Sequence, residues 1–265
     1  MGRLTGKITI VTGGGTGIGR AIAYRFYREG ATVAICGRRR NVLETAKEEI
    51  LAGGDGNEDR TVYLDTVDVS QSEEVDRFVT TVARAFGGVD ILVNNAGIMR
   101  FSPLVEMEED LWSDLLEVNT LGPWRMMKAV YPHMKARGGG AVVNLSSIAG
   151  HKSLPNVAGY CSAKAALTMM SQVAALEWAG DGIRVNVIAP GLVEDTELAD
   201  PIFGKDGVPA FYEKLRSLHP LGRSGTTDDV ADLALFLVTE QSSWITGAMI
   251  PLDGGRHLAT NRPPV

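Results

Sequence analysis

Cysteine is scarce: Cys36 and Cys161 are the only two in 265 residues, and Cys36 falls in an apolar run that reads as a buried strand. Two cysteines so placed exclude a disulfide framework and point to a reducing compartment. Basic charge is not in excess either. The 26 Lys and Arg against 32 Asp and Glu give a net charge of −6, and Arg38-Arg39-Arg40 is the only basic block, so a nucleic-acid partner is not expected. No stretch approaches the ~18 apolar residues of a membrane span, and Met1 to Lys7 runs into a strand without an apolar signal segment. The expectation is a soluble cytoplasmic protein that does not engage a membrane. The four histidines stand in no metal-ligand spacing, so no metal site is expected. There is no internal repeat or low-complexity block.

What the chain does have is alternation. Short apolar runs at Ile8–Thr12, Thr32–Cys36, Val62–Asp65, Ile91–Val93, Ala141–Leu145, Arg184–Ile188 and Ala248–Pro251 read as strands, each bounded by turn-forming residues. Helical patterns at about Gly17–Glu29, Arg39–Leu51, Ser72–Phe86, Glu109–Arg137, Gly159–Ala179 and Thr227–Thr239 lie between them. This predicts an α/β protein: one Rossmann-type domain over residues 1–265, a doubly wound parallel sheet of seven strands with helices on both faces. Ligands then belong at the carboxyl ends of the strands. Residues 192–221 break the alternation and carry Phe203, Phe211, Tyr212 and His219; a long connection of that composition reads as a substrate lid. Residues 256–265 read as an extended tail.

Thr12-Gly13-Gly14-Gly15-Thr16-Gly17-Ile18-Gly19 follows the first strand and opens the first helix. Unpaired main-chain N–H groups and the helix dipole make such a turn an anion site, and glycine lets a diphosphate approach the backbone. At the end of the second strand an acidic residue would hold a ribose diol, whereas a cation would accept a 2′-phosphate. Gly37-Arg38-Arg39 stands there, which favours NADP over NAD; alternatively the arginines only begin a solvated helix.

Tyr160 and Lys164, four residues apart, share one face of a helix. A cation within ~4–6 Å of a phenol favours the phenolate and brings its pKa toward the range of a general acid or base.

With these elements in place, the sequence resembles the short-chain dehydrogenase/reductase family over nearly its whole length. Thr12 to Gly19 is similar to the family's glycine turn, Asp68-Val69 to its adenine-contacting pair and Asn94-Asn95-Ala96-Gly97 to its strand-four motif. Asn119, Ser147, Tyr160 and Lys164 occur in the family's order and spacing, and Pro190-Gly191 matches the turn after strand six. The resemblance implies Tyr160 as proton donor or acceptor at a carbonyl or alcohol oxygen and Ser147 as a second hydrogen bond to that oxygen. It implies Lys164 as partner of the tyrosine and of the nicotinamide ribose, and Asn119 as part of a helix that holds a water. Cofactor contacts are implied at Gly13, Gly15, Thr16, Gly17, Ile18, Gly19, Arg38, Arg39, Asp68, Val69, Asn95, Ala96, Gly97, Tyr160, Lys164, Pro190, Gly191 and Val193. Asn94 and Asn95 serve equally well as loop ties. Where the family often has threonine four residues after the glycine of the Pro-Gly pair, this chain has Asp195, then Thr196; either the turn carries an extra residue and Thr196 makes the contact, or another group does.

Ser147, Met99, His151, Leu154 and Leu192, with Phe101, Asn156 and the lid aromatics, are expected around a mostly apolar substrate pocket, although His151 fits a loop histidine bound to backbone as well. The reading is an oxidoreductase transferring hydride between NADP(H) and a small carbonyl or alcohol. Competing readings are an NAD-using enzyme of the same fold, a lyase or epimerase using bound cofactor transiently, and a silent dinucleotide sensor, which would have no reason to keep Ser147, Tyr160 and Lys164 together. Similar proteins assemble as homotetramers through the helices carrying Asn119 and Tyr160, and the apolar Ala165–Leu176 face is compatible with that.

Overall fold

The computed structural model describes residues 2–54, 61–199, 204, 213 and 215–259. Seven parallel strands form one sheet in the order β3-β2-β1-β4-β5-β6-β7. They are β1 (Ile8–Thr12), β2 (Thr32–Gly37), β3 (Val62–Thr66), β4 (Ile91–Asn94), β5 (Gly140–Leu145), β6 (Ile183–Pro190) and β7 (Met249–Leu252). The helices are α1 (Gly17–Arg28), α2 (Arg40–Ala52), α3 (Ser72–Phe86), α4 (Glu109–Leu116), α5 (Gly122–Ala136), α6 (Ala158–Trp178) and α7 (Thr227–Val238).

Both sheet faces are covered, which is why β1, β2 and β4 are buried on consecutive residues rather than on alternate ones. In β1, Val11 joins the core shared with α1, α2 and α7, while its neighbour Ile10 joins the core shared with α3, α5 and α6. The side-chain period of two sends consecutive residues into separate cores. Helix α3 buries Val75, Phe78, Val79 and Val82 on one stripe and ends on Gly87 at φ 89°, the left-handed stop that glycine adopts most readily. Helix α7 begins on a reciprocal cap: Thr226 Oγ1 accepts from Asp229 N (3.2 Å) and Asp229 accepts from Thr226 N (2.8 Å).

Two expectations are corrected. Residues 109–137 form no uniform α-helix: a π-helical segment, Glu117–Leu121, separates α4 from α5. Asn119 is at its centre, fully buried, and its amide donates to Ile98 O and Leu115 O, both at 2.9 Å. Hydrophobic periodicity cannot reveal one inserted residue in a helix, and such bulges accompany functional sites. The tail is not extended over its described part: Asp253 to Ala259 makes successive turns, with Arg256 N donating to Asp253 O and Ala259 N to Arg256 O. Phe203, Phe211 and Tyr212 of the expected lid, and residues 260–265 of the tail, lie outside the described residues. No helix among the described residues is long and apolar enough to cross a membrane.

The sheet order reverses between β1 and β4, whose inner neighbours run outward in opposite directions. The helices after these strands leave to opposite faces, and the carboxyl ends open into a crevice. The site lies there.

Candidate active site

A cleft of about 730 Å³ runs along the carboxyl ends of the strands, from Asp68 beyond β3 to Arg256 beyond β7. Its floor is the glycine turn. Gly13 and Gly17 have φ of 63° and 51°, a left-handed backbone that other residues enter only at a cost. A side chain at Gly19 would place Cβ 2.2 Å from Gly13 O, so Gly19 permits the turn to close beneath the cleft and does not itself line it. Thr16 leads into α1 without a side-chain cap, and the first turn of α1 contains no acidic residue. The positive end of that helix is left for an anion from outside.

Thr12 and Asn95 hold the turn against β4. Thr12 Oγ1 accepts from Asn95 N and Ala96 N, both at 3.0 Å, and Asn95 Nδ2 donates to Thr12 O (3.0 Å) and Gly13 O (3.2 Å). The loop-tie reading of Asn95 is therefore correct for its side chain, although the residue also lines the cleft. Asn94 points into the sheet and donates to Asn144 Oδ1 at 2.8 Å.

At the other end of the crevice, Ser147, Tyr160 and Lys164 converge on the cleft wall. Ser147 leaves β5 in extended conformation, its Oγ accepting from Ala149 N at 3.1 Å, on the wall it shares with Tyr160. The neighbouring Ser146 is committed elsewhere, with Oγ donating to Lys164 O at 3.0 Å. Tyr160 and Lys164 are both buried on α6; the lysine Nζ lies 5.7 Å from the centre of the tyrosine ring and donates to Leu145 O at 2.8 Å. A side chain at Gly97 would place Cβ 2.8 Å from Asn119 Oδ1 and 3.5 Å from Lys164 Nζ, so glycine is what lets these groups approach. Thr120 Oγ1, in the π-helical segment, donates to Ala163 O at 2.9 Å and ties that segment to α6 beside Lys164.

The electrostatics correct one expectation. Burial pushes the Tyr160 phenol up to about 12, with the Ser147 side chain acting the other way. Lys164 does not bring it down, because burial lowers the lysine itself to about 8 and its Nζ bonds the Leu145 carbonyl. Removing both groups from water disfavours both charged forms.

All other residues expected at the cofactor border the cleft: Gly13, Gly15, Thr16, Gly17, Ile18, Arg38, Arg39, Asp68, Val69, Ala96, Gly97, Pro190, Gly191, Val193 and Thr196. So do Asn119 and, on the substrate side, Met99, Phe101, Leu154 and Leu192. Asp195 adopts φ 60°, and this left-handed step swings Thr196 to the wall beside Gly17. His151 and Asn156 are off the wall. The His151 ring meets His257 edge-on at 5.9 Å, while Asn156 O accepts from Ser102 N at 2.8 Å. His219, placed by sequence in the lid, is buried with Nε2 facing Leu192 N at 3.4 Å.

Three charged wall residues escaped the sequence reading. Glu197 accepts from Arg39 Nη2 and from Thr16 Oγ1 (3.4 Å), reaching from beyond β6 across to the rim of β2. Arg100 and Arg256 are the others; an arginine in a loop or turn carries no periodic signal.

A family model described as enoyl-(acyl carrier protein) reductase matches residues 13–257. The chain belongs to the short-chain dehydrogenase/reductase family. It is 33% identical to 2-(S)-hydroxypropyl-CoM dehydrogenase 3 of Xanthobacter autotrophicus, over 96% of this chain and 97% of that one. It is 37% identical to galactitol 2-dehydrogenase of Agrobacterium fabrum, over 97% and 100%. The crystal structure of a short-chain type dehydrogenase/reductase from Mycobacterium marinum superposes with a TM-score of 0.87, at 30% identity and 96% coverage of both chains. As a family member this is an oxidoreductase acting on alcohols or ketones, in a family that uses nicotinamide dinucleotides. The uncapped helix start and the two positive-φ glycines fit the diphosphate of such a cofactor.

Proposed function

We propose that the protein is an NADP(H)-dependent enzyme interconverting a small ketone and a secondary alcohol, with Tyr160 as the general acid/base. The observation that carries this is the buried Tyr160, sharing with Ser147 and Lys164 the wall of a cleft continuous with the glycine turn. A bound nicotinamide dinucleotide supplies or accepts the hydride. Gly13, Gly15, Gly17 and Ile18 would hold its diphosphate, Asp68 and Val69 its adenine, and Gly97, Pro190, Gly191, Val193 and Thr196 its nicotinamide half.

The chain's own groups handle the proton. A phenol whose pKa is pushed up to about 12 stays protonated at neutral pH and donates to a carbonyl oxygen as negative charge develops there. Ser147 bonds the same oxygen and fixes its position, stabilising that charge by preorganisation. Lys164 would hold the ribose hydroxyls and supply positive charge behind the tyrosine, and Asn119 fixes the main chain at Ile98 through paired bonds of 2.9 and 3.2 Å.

Arg38 carries the cofactor preference. It is exposed at the rim of β2 with no bonded partner among the described residues and offers a planar fork suited to a 2′-phosphate. One observation favours NAD as a second reading: Glu197 occupies Arg39 and places a carboxylate at the same rim. Exposed Trp124 on α5 and Met169, Val173 and Leu176 on α6 support a homotetramer assembled through these helices, and two free cysteines support a cytoplasmic location. Calorimetric titration with NADP and NAD, then a screen of ketones and alcohols by nicotinamide absorbance, tests the reading. Tight cofactor binding without turnover of any alcohol or ketone would reduce it to a dinucleotide sensor.

A further inference from the structure

Arg256 is the last residue of the cleft wall, on the turn beyond β7. The turn is firmly built. Asp253 accepts from Gly255 N (3.0 Å), His257 N (2.6 Å) and the His257 ring (2.9 Å). Lys152, five residues after Ser147, donates to Arg256 O (2.9 Å) and Ala259 O (3.0 Å). The main chain of Arg256 is thus clamped to the catalytic loop. Its charge is felt by His219, whose Nε2 lies 3.3 Å from the Cβ position of Gly191. The side chain therefore belongs between the Ser147 loop and the Pro190-Gly191 turn, on the β5-β6-β7 side of the crevice.

The guanidinium is partly buried, and no described side chain hydrogen-bonds it or pairs with it. Asp253, the nearest source of negative charge, has its oxygens engaged by the turn and by His257. The carboxylates on the cleft wall are at the opposite end: Asp68, holding Ser70 N (2.9 Å), and Glu197, holding Arg39. Arg100 also borders the substrate side, one of its donors bound to Met99 O at 2.8 Å. Among the described residues, the charged wall residues on the substrate side are cations, and one of them sits partly desolvated with its fork unfilled. Such a group is satisfied by an anion.

We propose that Arg256 anchors an anionic group of the substrate, so that the enzyme's ketone or secondary alcohol carries a carboxylate, phosphate or sulfonate beside the reacting carbon chain. This rests on the reading of the cleft given above. Arg256 orients the substrate by its charged end while Ser147 and Tyr160 meet its oxygen, with Arg100 as a second, weaker cation. Relatives of similar identity include a galactitol dehydrogenase, so the family alone does not fix this choice.

The test uses charged and neutral partners of matched shape: acetoacetate and levulinate against their methyl esters, dihydroxyacetone phosphate against dihydroxyacetone, and acetonesulfonate against acetone. Turnover is followed by nicotinamide absorbance, and binding to the cofactor-loaded enzyme by calorimetry. The expected result is that at least one anion exceeds its neutral partner by about 10–100-fold in kcat/KM and in affinity, and the pair that does so identifies the anion. Arg256→Ala should erase that preference through KM, costing the charged partner far more than the neutral one, and be partly rescued by Arg256→Lys. Equal treatment of charged and neutral partners by the wild type, or an equal loss for both in Arg256→Ala, overturns the proposal. Anion binding that depends on Arg256 without turnover would support the anchor while refuting hydride transfer; turnover of neutral ketones alone would do the reverse.

Discussion

Lys164 stands one helical turn beyond Tyr160 with its Nζ 5.7 Å from the centre of the tyrosine ring, and donates to the Leu145 carbonyl at 2.8 Å. Both side chains are buried, and the consequence is mutual: the phenol is held up to about 12 and the ammonium down to about 8. In the cofactor-free protein the pair is a proton donor next to a cation that is only just stable.

This arrangement makes Lys164 a liability for folding. A lysine with pKa near 8 folded and 10.5 unfolded burdens the native state with a buried charge below about pH 8. The burden is relieved as pH rises from 8 toward 10.5, where the unfolded chain also loses its proton. Lys164→Met should therefore stabilise the cofactor-free protein at pH 7 by on the order of 1–3 kcal/mol. The gain should shrink between pH 8 and 10, while activity is lost. Urea unfolding of both proteins at pH 7 and pH 9.5 measures it; a variant less stable than wild type at pH 7 would show that the bond to Leu145 O outweighs the buried charge.

The glycine turn makes a steric prediction. Gly19→Ala places a methyl group 2.2 Å from Gly13 O and 2.4 Å from Asn95 Nδ2, neither of which yields without opening the turn. Loss of about 2 kcal/mol or more is expected, with cofactor affinity falling in parallel. Thermal unfolding and cofactor titration check both; unchanged affinity would mean that the turn does not seat the diphosphate.

Cofactor choice is contested between Arg38 and Glu197. Arg38→Ala should weaken NADP by about tenfold or more and leave NAD nearly unchanged. Glu197→Gln, by releasing Arg39 and removing a carboxylate from the rim, should strengthen NADP over NAD. Dissociation constants for both cofactors in both variants decide the matter, and equal effects on the two cofactors would assign the rim to NAD.

The sheet was legible in the sequence because both of its faces are buried: runs such as Ile8–Thr12 and Ala141–Leu145 place apolar residues on consecutive positions, and each is followed by a turn-forming Gly13 or Ser146. The glycine turn and the Tyr160–Lys164 pair were legible from their spacing, and Ser147 from the resemblance to the family that they opened. Three features were not. The π-helical segment around Asn119 leaves the apolar stripe of its helix nearly intact, since the inserted residue is absorbed by wider hydrogen bonding. The pKa of Tyr160 depends on burial, and a lysine four residues away predicts the opposite shift unless its own desolvation is known. Arg256 and Glu197 reach the cleft from a turn and a short loop helix, where only the fold decides which way a side chain faces.

Proton transfer by Tyr160 is the central claim, and Tyr160→Phe tests it directly, because the ring still fills its buried position while the hydroxyl is gone. Turnover of the best ketone found in the screen is measured by nicotinamide absorbance for wild type and variant, with cofactor affinity measured alongside. The account predicts unchanged cofactor binding and a loss of kcat of about 10²–10⁴-fold; a variant that binds cofactor and retains wild-type turnover would contradict it.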